Sequence, residues 1–201
     1  MRFGLKDTRD AIDSILAHAV KTANRSFAKG VILNQSAVDA LLAGGVATLT
    51  VATLEDGDVP ENDAADALAH ALGTSGVRIS RAATGRVNFY AKKSGVFWPD
   101  KGAVDLFNSV DPGITLATLA EGRSVHSGEM VATIKIIPLA VTSRSISATL
   151  AVLGDREVFS VKEYLSHDVV LISTLLPNLK LSVVGKTTRN LLRRLESSQS
   201  R

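Results

Sequence analysis

The residues best suited to chemistry stand at 84–88, where Thr84, Gly85, Arg86 and Asn88 set a hydroxyl, a glycine, a guanidinium and a carboxamide close together. Glycine lets a backbone approach an oxyanion closely, and arginine offers a two-pronged fork to a phosphate. The same residues also read as a polar turn between two short strands. Lys135 interrupts an otherwise apolar stretch. Burying an unpaired ammonium is costly, so it must reach water, an acid or a ligand. Strand alternation sets it on a face with Val131 and Thr133, where it lines a pocket or snorkels at a sheet edge. Glu55, Asp56, Asp58, Glu61, Asp63 and Asp66 form an acidic run with no base among them. They lack the spacing of a calcium loop and read as a solvated helix start. His18, His70, His126 and His167 have no metal-ligand spacing, and neither a Gly-x-Ser-x-Gly elbow nor a phosphate-binding Walker loop occurs. No catalytic residue and no metal ligand is assigned.

Composition narrows the classes. A chain of 201 residues has room for one full domain and a smaller appendage. With 45% hydrophobic and 21% charged residues it belongs with soluble globular proteins. The absence of cysteine excludes disulfides, cysteine-ligated zinc and thiol nucleophiles. The first residues lack the apolar stretch of a signal peptide, and no apolar run approaches the roughly 20 residues that span a bilayer. A cytoplasmic chain without a membrane partner is expected. The net charge is +3, but residues 180–201 hold six bases against Glu196 alone, which leaves the remainder at −2. A basic tail on a faintly acidic body does not read as a nucleic-acid protein, which shows a basic face with interleaved aromatics.

Periodicity supplies the elements that must position these residues. Apolar residues at Ile12, Ile15, Leu16 and Ala19 predict a helix over 10–20. A short strand is expected at 31–33, then a helix capped by Asn34 or Ser36 and ended by Gly44 and Gly45. A strand over 46–54 follows. Asp58 and Glu61 stand at capping-box spacing, with Pro60 in the first turn of a helix that buries Ala64, Ala65, Leu68, Ala71 and Leu72. Strands are expected at 77–80 and 87–92, a helix at 103–110, and strands at 114–119 and 130–141. Ser143 begins a helix through Leu153, and a short strand at 158–161 follows. Residues 169–172 are continuously apolar, as in a strand buried on both faces, and lead to a helix carrying Val184, Leu191, Leu192 and Leu195. The fold class is α+β: a β-rich main domain with helices over 1–155, then the first strand and helix of an α/β domain over 156–201.

Several segments together resemble a known pattern. These are Lys29-Gly30-Val31-Ile32-Leu33 followed by residues 36–46, Gly57-Asp58-Val59-Pro60-Glu61-Asn62-Asp63-Ala64-Ala65, and Thr84-Gly85-Arg86-Val87-Asn88. Asn108-Ser109-Val110-Asp111 with residues 114–119, and Gly128-Glu129-Met130-Val131-Ala132-Thr133-Ile134-Lys135-Ile136-Ile137-Pro138, complete the set. In order and spacing they are similar to the N-terminal region of molybdopterin-binding proteins, of the molybdopterin molybdenumtransferase-like, molybdenum-cofactor biosynthesis family. The resemblance covers nearly the whole chain. It implies a molybdopterin cofactor, with an anionic pterin phosphate held by Thr84, Gly85, Arg86, Asn88, Asn108 and Lys135. In that family the strand at 169–174 opens the domain that carries the glycine-rich pterin-phosphate loop, and the chain stops about one helix later. The resemblance therefore implies an accessory half, whose transferase chemistry needs a further domain, working as a homodimer or with a partner protein of the same pathway. The competing expectation is a ligand-free interaction module that dimerises through its apolar strands and final helix.

Overall fold

The structure is a computed structural model that describes residues 1–198 and 200. Its α+β class is as expected: five α-helices and strands in several sheets among the described residues.

The first lobe is a three-stranded antiparallel sheet in the order β1-β5-β2. It is formed by β1 (Arg2–Asp7), β2 (Ile15–Leu16) and β5 (Thr48–Thr53). A hairpin of β3 (Val20–Lys21) with β4 (Ser26–Phe27) and the helix α1 (Gln35–Ala43) complete it. Asn34 caps α1 by accepting from the Ala37 amide at 2.9 Å. The expected helix over 10–20 is absent. Asp13 sits at φ 60, a left-handed conformation that a helix does not tolerate, and only a 3-10 turn forms at Thr8–Asp10. The apolar spacing has another cause. Ile15 and Leu16 are both buried but feed different cores, Ile15 with Ala52 and Leu139, Leu16 with Phe27, Leu41 and Val51. Strand alternation sends adjacent side chains to opposite faces. The strand expected at 31–33 shrinks to one bridge, Ile32 to Ile15.

The larger lobe begins with β6 (Asp58–Pro60) and α2 (Glu61–Ala71). It continues through β7 (Gly73–Ser75), β8 (Val77–Ile79), β9 (Arg86–Ala91), β10 (Gly95–Pro99) and α3 (Lys101–Val110). It ends with β11 (Ile114–Thr118), β12 (Ser124–Val125), β13 (Met130–Ile136), β14 (Ala140–Thr142), α4 (Ser143–Leu153) and β15 (Glu157–Glu163). Two four-stranded sheets, β12-β10-β15-β7 and β11-β13-β9-β8, share one core with α2, α3 and α4. The sheets meet through aromatic rings. Phe159 of β15 packs edge-to-face on Phe89 of β9 at 5.0 Å and tilts against Phe97 of β10 at 5.7 Å.

Local chemistry explains the other departures. Asp58 and Glu61 do not form a capping box, because Pro60 is the N-cap and makes no side-chain hydrogen bond. Asp58 instead pairs in β6 with Thr142 and takes the Met1 ammonium at 2.6 Å and the Glu55 amide at 2.8 Å. Those two contacts, the ammonium first, hold its carboxyl below the usual aspartate value. The stretch 130–141 is two strands, not one. Pro138 lacks an amide to donate to a ladder, and the Ile137 amide turns to Gly113 O at 2.8 Å. Thr142, one residue before the expected Ser143, caps α4.

Strand β15 pairs antiparallel with β10 and parallel with β7, so the packed body runs on past residue 155 to Glu163. The strand expected at 169–172 is not formed. A strand exists only as part of a ladder, and no described strand lies beside these residues. The following helix, α5 (Leu181–Leu195), is present and buries none of its residues.

Candidate functional site

Sheet β11-β13-β9-β8 buries one face and opens the other. Along β9, Val87, Phe89 and Ala91 are buried, while Arg86, Asn88 and Tyr90 point away from the core. Register aligns this outer face in rows. Thr115, Lys135 and Arg86 lie side by side across three strands, then Ala117, Thr133 and Asn88. Arg78, Tyr90 and Met130 form the third row. Val131, expected beside Lys135, is instead buried in the core. A register shift between Met130 and Ala132 turns it inward.

At the Arg86 end, Thr84 and Gly85 make a two-residue turn between Ala83 and Arg86, whose amides and carbonyls pair at 3.0 and 3.1 Å. Both residues have positive φ, 50 and 67, the mark of a type I′ hairpin turn. Threonine is a poor residue for that conformation, and the surroundings impose it. The Gly85 amide donates to Asn62 Oδ1 at 2.8 Å, and Gly85 O accepts from the Ile136 amide at 2.7 Å. Lys135 Nζ donates to Thr84 O. Gly85 is needed for space as well, since a Cβ there would stand 2.7 Å from Glu61 Oε2 and 2.9 Å from Ile136 O.

These contacts separate the six expected ligand residues by what their polar groups are doing. The Gly85 amide is used by Asn62, and the Thr84 hydroxyl donates to Ala83 O at 2.7 Å. Both therefore position the turn. Lys135 holds Thr84 O and lies 3.9 Å from Glu61 Oε2, with its side chain 30% exposed. Arg86 is exposed and directly opposite Lys135. Among the described residues its guanidinium has no hydrogen bond or ion pair. Like charges facing each other across a strand pair repel; Glu61 offsets part of the Lys135 charge, and an anion beside Arg86 would offset the rest. In the next row Asn88 Oδ1 accepts from the Thr133 hydroxyl at 2.8 Å, and its Nδ2 donates to Tyr90 Oη at 3.3 Å.

Asn108 does not join this face. On α3 it clamps the main chain of Leu116, accepting from its amide at 2.7 Å and donating to its carbonyl at 2.9 Å. Its amide is spent on joining helix to strand. Four residues of the neighbourhood are not placed there by the sequence: Glu61, Asn62, Arg78 and Tyr90. Tyr90 follows from alternation with Arg86 and Asn88. Arg78 needs the register of β8 on β9, and Glu61 and Asn62 need the packing of α2 against the turn, neither of which a local pattern encodes.

Among the described residues no group of three histidine, aspartate or glutamate side chains converges to hold a metal ion, and no helix is long and apolar enough to cross a membrane. No family model, curated protein or solved structure matches the chain.

Proposed function

We propose that this chain is a binding component of molybdenum-cofactor biosynthesis, holding the phosphate of a pterin on the outer face of β9 and β13 without completing a transfer reaction. The single observation that carries the reading is the row in which Arg86 stands opposite Lys135, exposed and without an acidic partner among the described residues. The motif resemblance at 29–46, 57–65, 84–88, 108–119 and 128–138 supplies the ligand class. Arg86 is the principal ligand, Lys135 adds charge while fixing the turn, and Asn88 with Thr133 offers polar contacts one row along. Isothermal titration of the chain with molybdopterin tests it. Binding should weaken about tenfold or more in Arg86→Ala, the scale of losing a charge-assisted hydrogen bond. Unchanged affinity in that variant sinks the assignment.

A second reading, an interaction module without a ligand, has its own observation. Leu165, Val170, Ile172, Leu175, Leu176, Leu181 and Leu192 are all exposed in the segment after β15, far more apolar surface than a single scattered residue. Under that reading the protein self-associates, Leu192→Asp abolishes association, and Arg86→Ala is silent. Titration of Arg86→Ala together with sedimentation of Leu192→Asp decides between the two: molybdopterin binding lost in the first favours the ligand reading, while no binding by either chain and association lost in the second favours the module.

A further inference from the structure

The outer face continues past the anion row to a flat, partly open aromatic group. Arg78 and Tyr90 are direct cross-strand partners, and the Arg78 guanidinium lies over the Tyr90 ring at 4.8 Å from its centroid. The Tyr90 hydroxyl reaches back along its own strand to Asn88 Nδ2 at 3.3 Å. Met130, on the opposite side of Tyr90, is exposed and apolar. Guanidinium planes and aromatic rings are the surfaces on which planar heterocycles stack. From Arg86 to Tyr90 is four residues of strand, about 13 Å at 3.3 Å per residue. Between them lies the Asn88–Thr133 pair, with carboxamide and hydroxyl groups suited to a ring edge.

We propose that Arg78 and Tyr90 form a stacking seat for a fused heteroaromatic ring whose phosphate arm lies at Arg86. The ligand class is a planar bicycle carrying a phosphate, either a pterin phosphate or a purine nucleotide. This rests on the anion reading of Arg86. It goes beyond it in giving the ligand a direction along β9 and in assigning two residues that the phosphate does not need. Arg78 is exposed and its contact is with one ring, so its removal leaves the core untouched.

The test is titration of the full chain with inorganic phosphate, 6-hydroxymethylpterin phosphate and guanosine 5′-monophosphate, in wild type, Arg78→Ala, Tyr90→Ala, Tyr90→Phe and Arg86→Ala. At least one ring-bearing phosphate should bind about tenfold or more tightly than inorganic phosphate, the scale of one stacking contact, and the tighter of the two identifies its source. Arg78→Ala and Tyr90→Ala should reduce that gain to about twofold, Tyr90→Phe should keep it, and Arg86→Ala should weaken all three probes. If inorganic phosphate binds and the rings add nothing, or if the gain survives Arg78→Ala, the stacking seat is overturned and the anion site stands. If no probe binds the wild type, the anion site falls and the seat with it.

Discussion

In the larger lobe Phe89, Phe97 and Phe159 are wholly buried against one another, whereas beyond residue 163 Val170 and Ile172 are 84% and 85% exposed. Both regions are rich in strand-forming apolar residues, so composition does not separate them. The difference is pairing. Phe159 lies on a strand held on both sides, by β10 and β7, and its ring faces the opposite sheet. Residues 169–172 join no ladder, and none of them is buried. Apolar character supplies a driving force, but burial requires a second surface for it to act on.

The strongest way to break this comparison is to truncate one apolar side chain in each region. Phe159→Ala should cost about 3–5 kcal/mol, the usual range for emptying a buried aromatic site. Ile172→Ala should stay within about 0.5 kcal/mol, as for an exposed position. Comparable losses by urea unfolding would show that the tail is packed after all. A smaller effect tests how firmly the body fixes its own turns. Gly85→Ala should destabilise by roughly 1–3 kcal/mol, from a left-handed φ and a clash with Glu61 and Ile136 O. Asn62→Ala should cost about 1–2 kcal/mol by stranding the partly buried Gly85 amide. If both are silent in thermal melts, the turn is held by something other than these contacts.

Leu192→Asp should leave the melting temperature within about a degree, since Leu192 is exposed and no residue of α5 is fully buried, while removing any self-association. A drop of several degrees would place α5 in the folded body. The mildest effect concerns pH. The Met1 ammonium, bonded first to Asp58 and then to Glu55, titrates above its ordinary value, and both carboxyls titrate below theirs. The carboxyl contribution is present above about pH 4 and is lost as pH falls through the depressed values. The ammonium contribution is complete below about pH 8 and is lost as pH rises through the elevated one. Between those limits Asp58→Asn should lower stability, and the difference from wild type should shrink on the acid side. A constant difference down to acid pH would count against the pairing.

Much of the larger lobe was legible because its elements carry one period each. The buried Ala64, Ala65 and Leu68 of α2 follow the helical stripe, and Arg86, Asn88 and Tyr90 follow strand alternation. The misreadings share a physical cause. Ile12, Ile15, Leu16 and Ala19 mimic a helix only because Ile15 and Leu16 serve two cores, which no single period expresses. Residues 169–172 read as a strand from side-chain character alone, while strand formation depends on a neighbour that local sequence does not specify. Arg86 and Lys135 stand out by residue type, and the register of β13 on β9 sets them opposite each other. Asn108 was misplaced because a carboxamide that clamps a main chain and one that binds a ligand look alike in sequence. Strand β10, bounded by glycine and proline, gave no alternation strong enough to notice.

Strand β15 occupies an inner position of its sheet, between β10 and β7, and this has a consequence for the order of events during synthesis. The core around Leu16, Leu41 and Val51 is complete by residue 54, yet the sheet β12-β10-β15-β7 cannot close until residue 163 has been made. At about 5–20 residues per second that interval is roughly 5–20 s. Once made, the edges of β7 and β10 and the rings of Phe89 and Phe97 wait out the rest of it without their partner. The nascent chain thus passes through a stage with one N-terminal core formed and an open, sticky second lobe, the stage at which a chaperone would have most to hold.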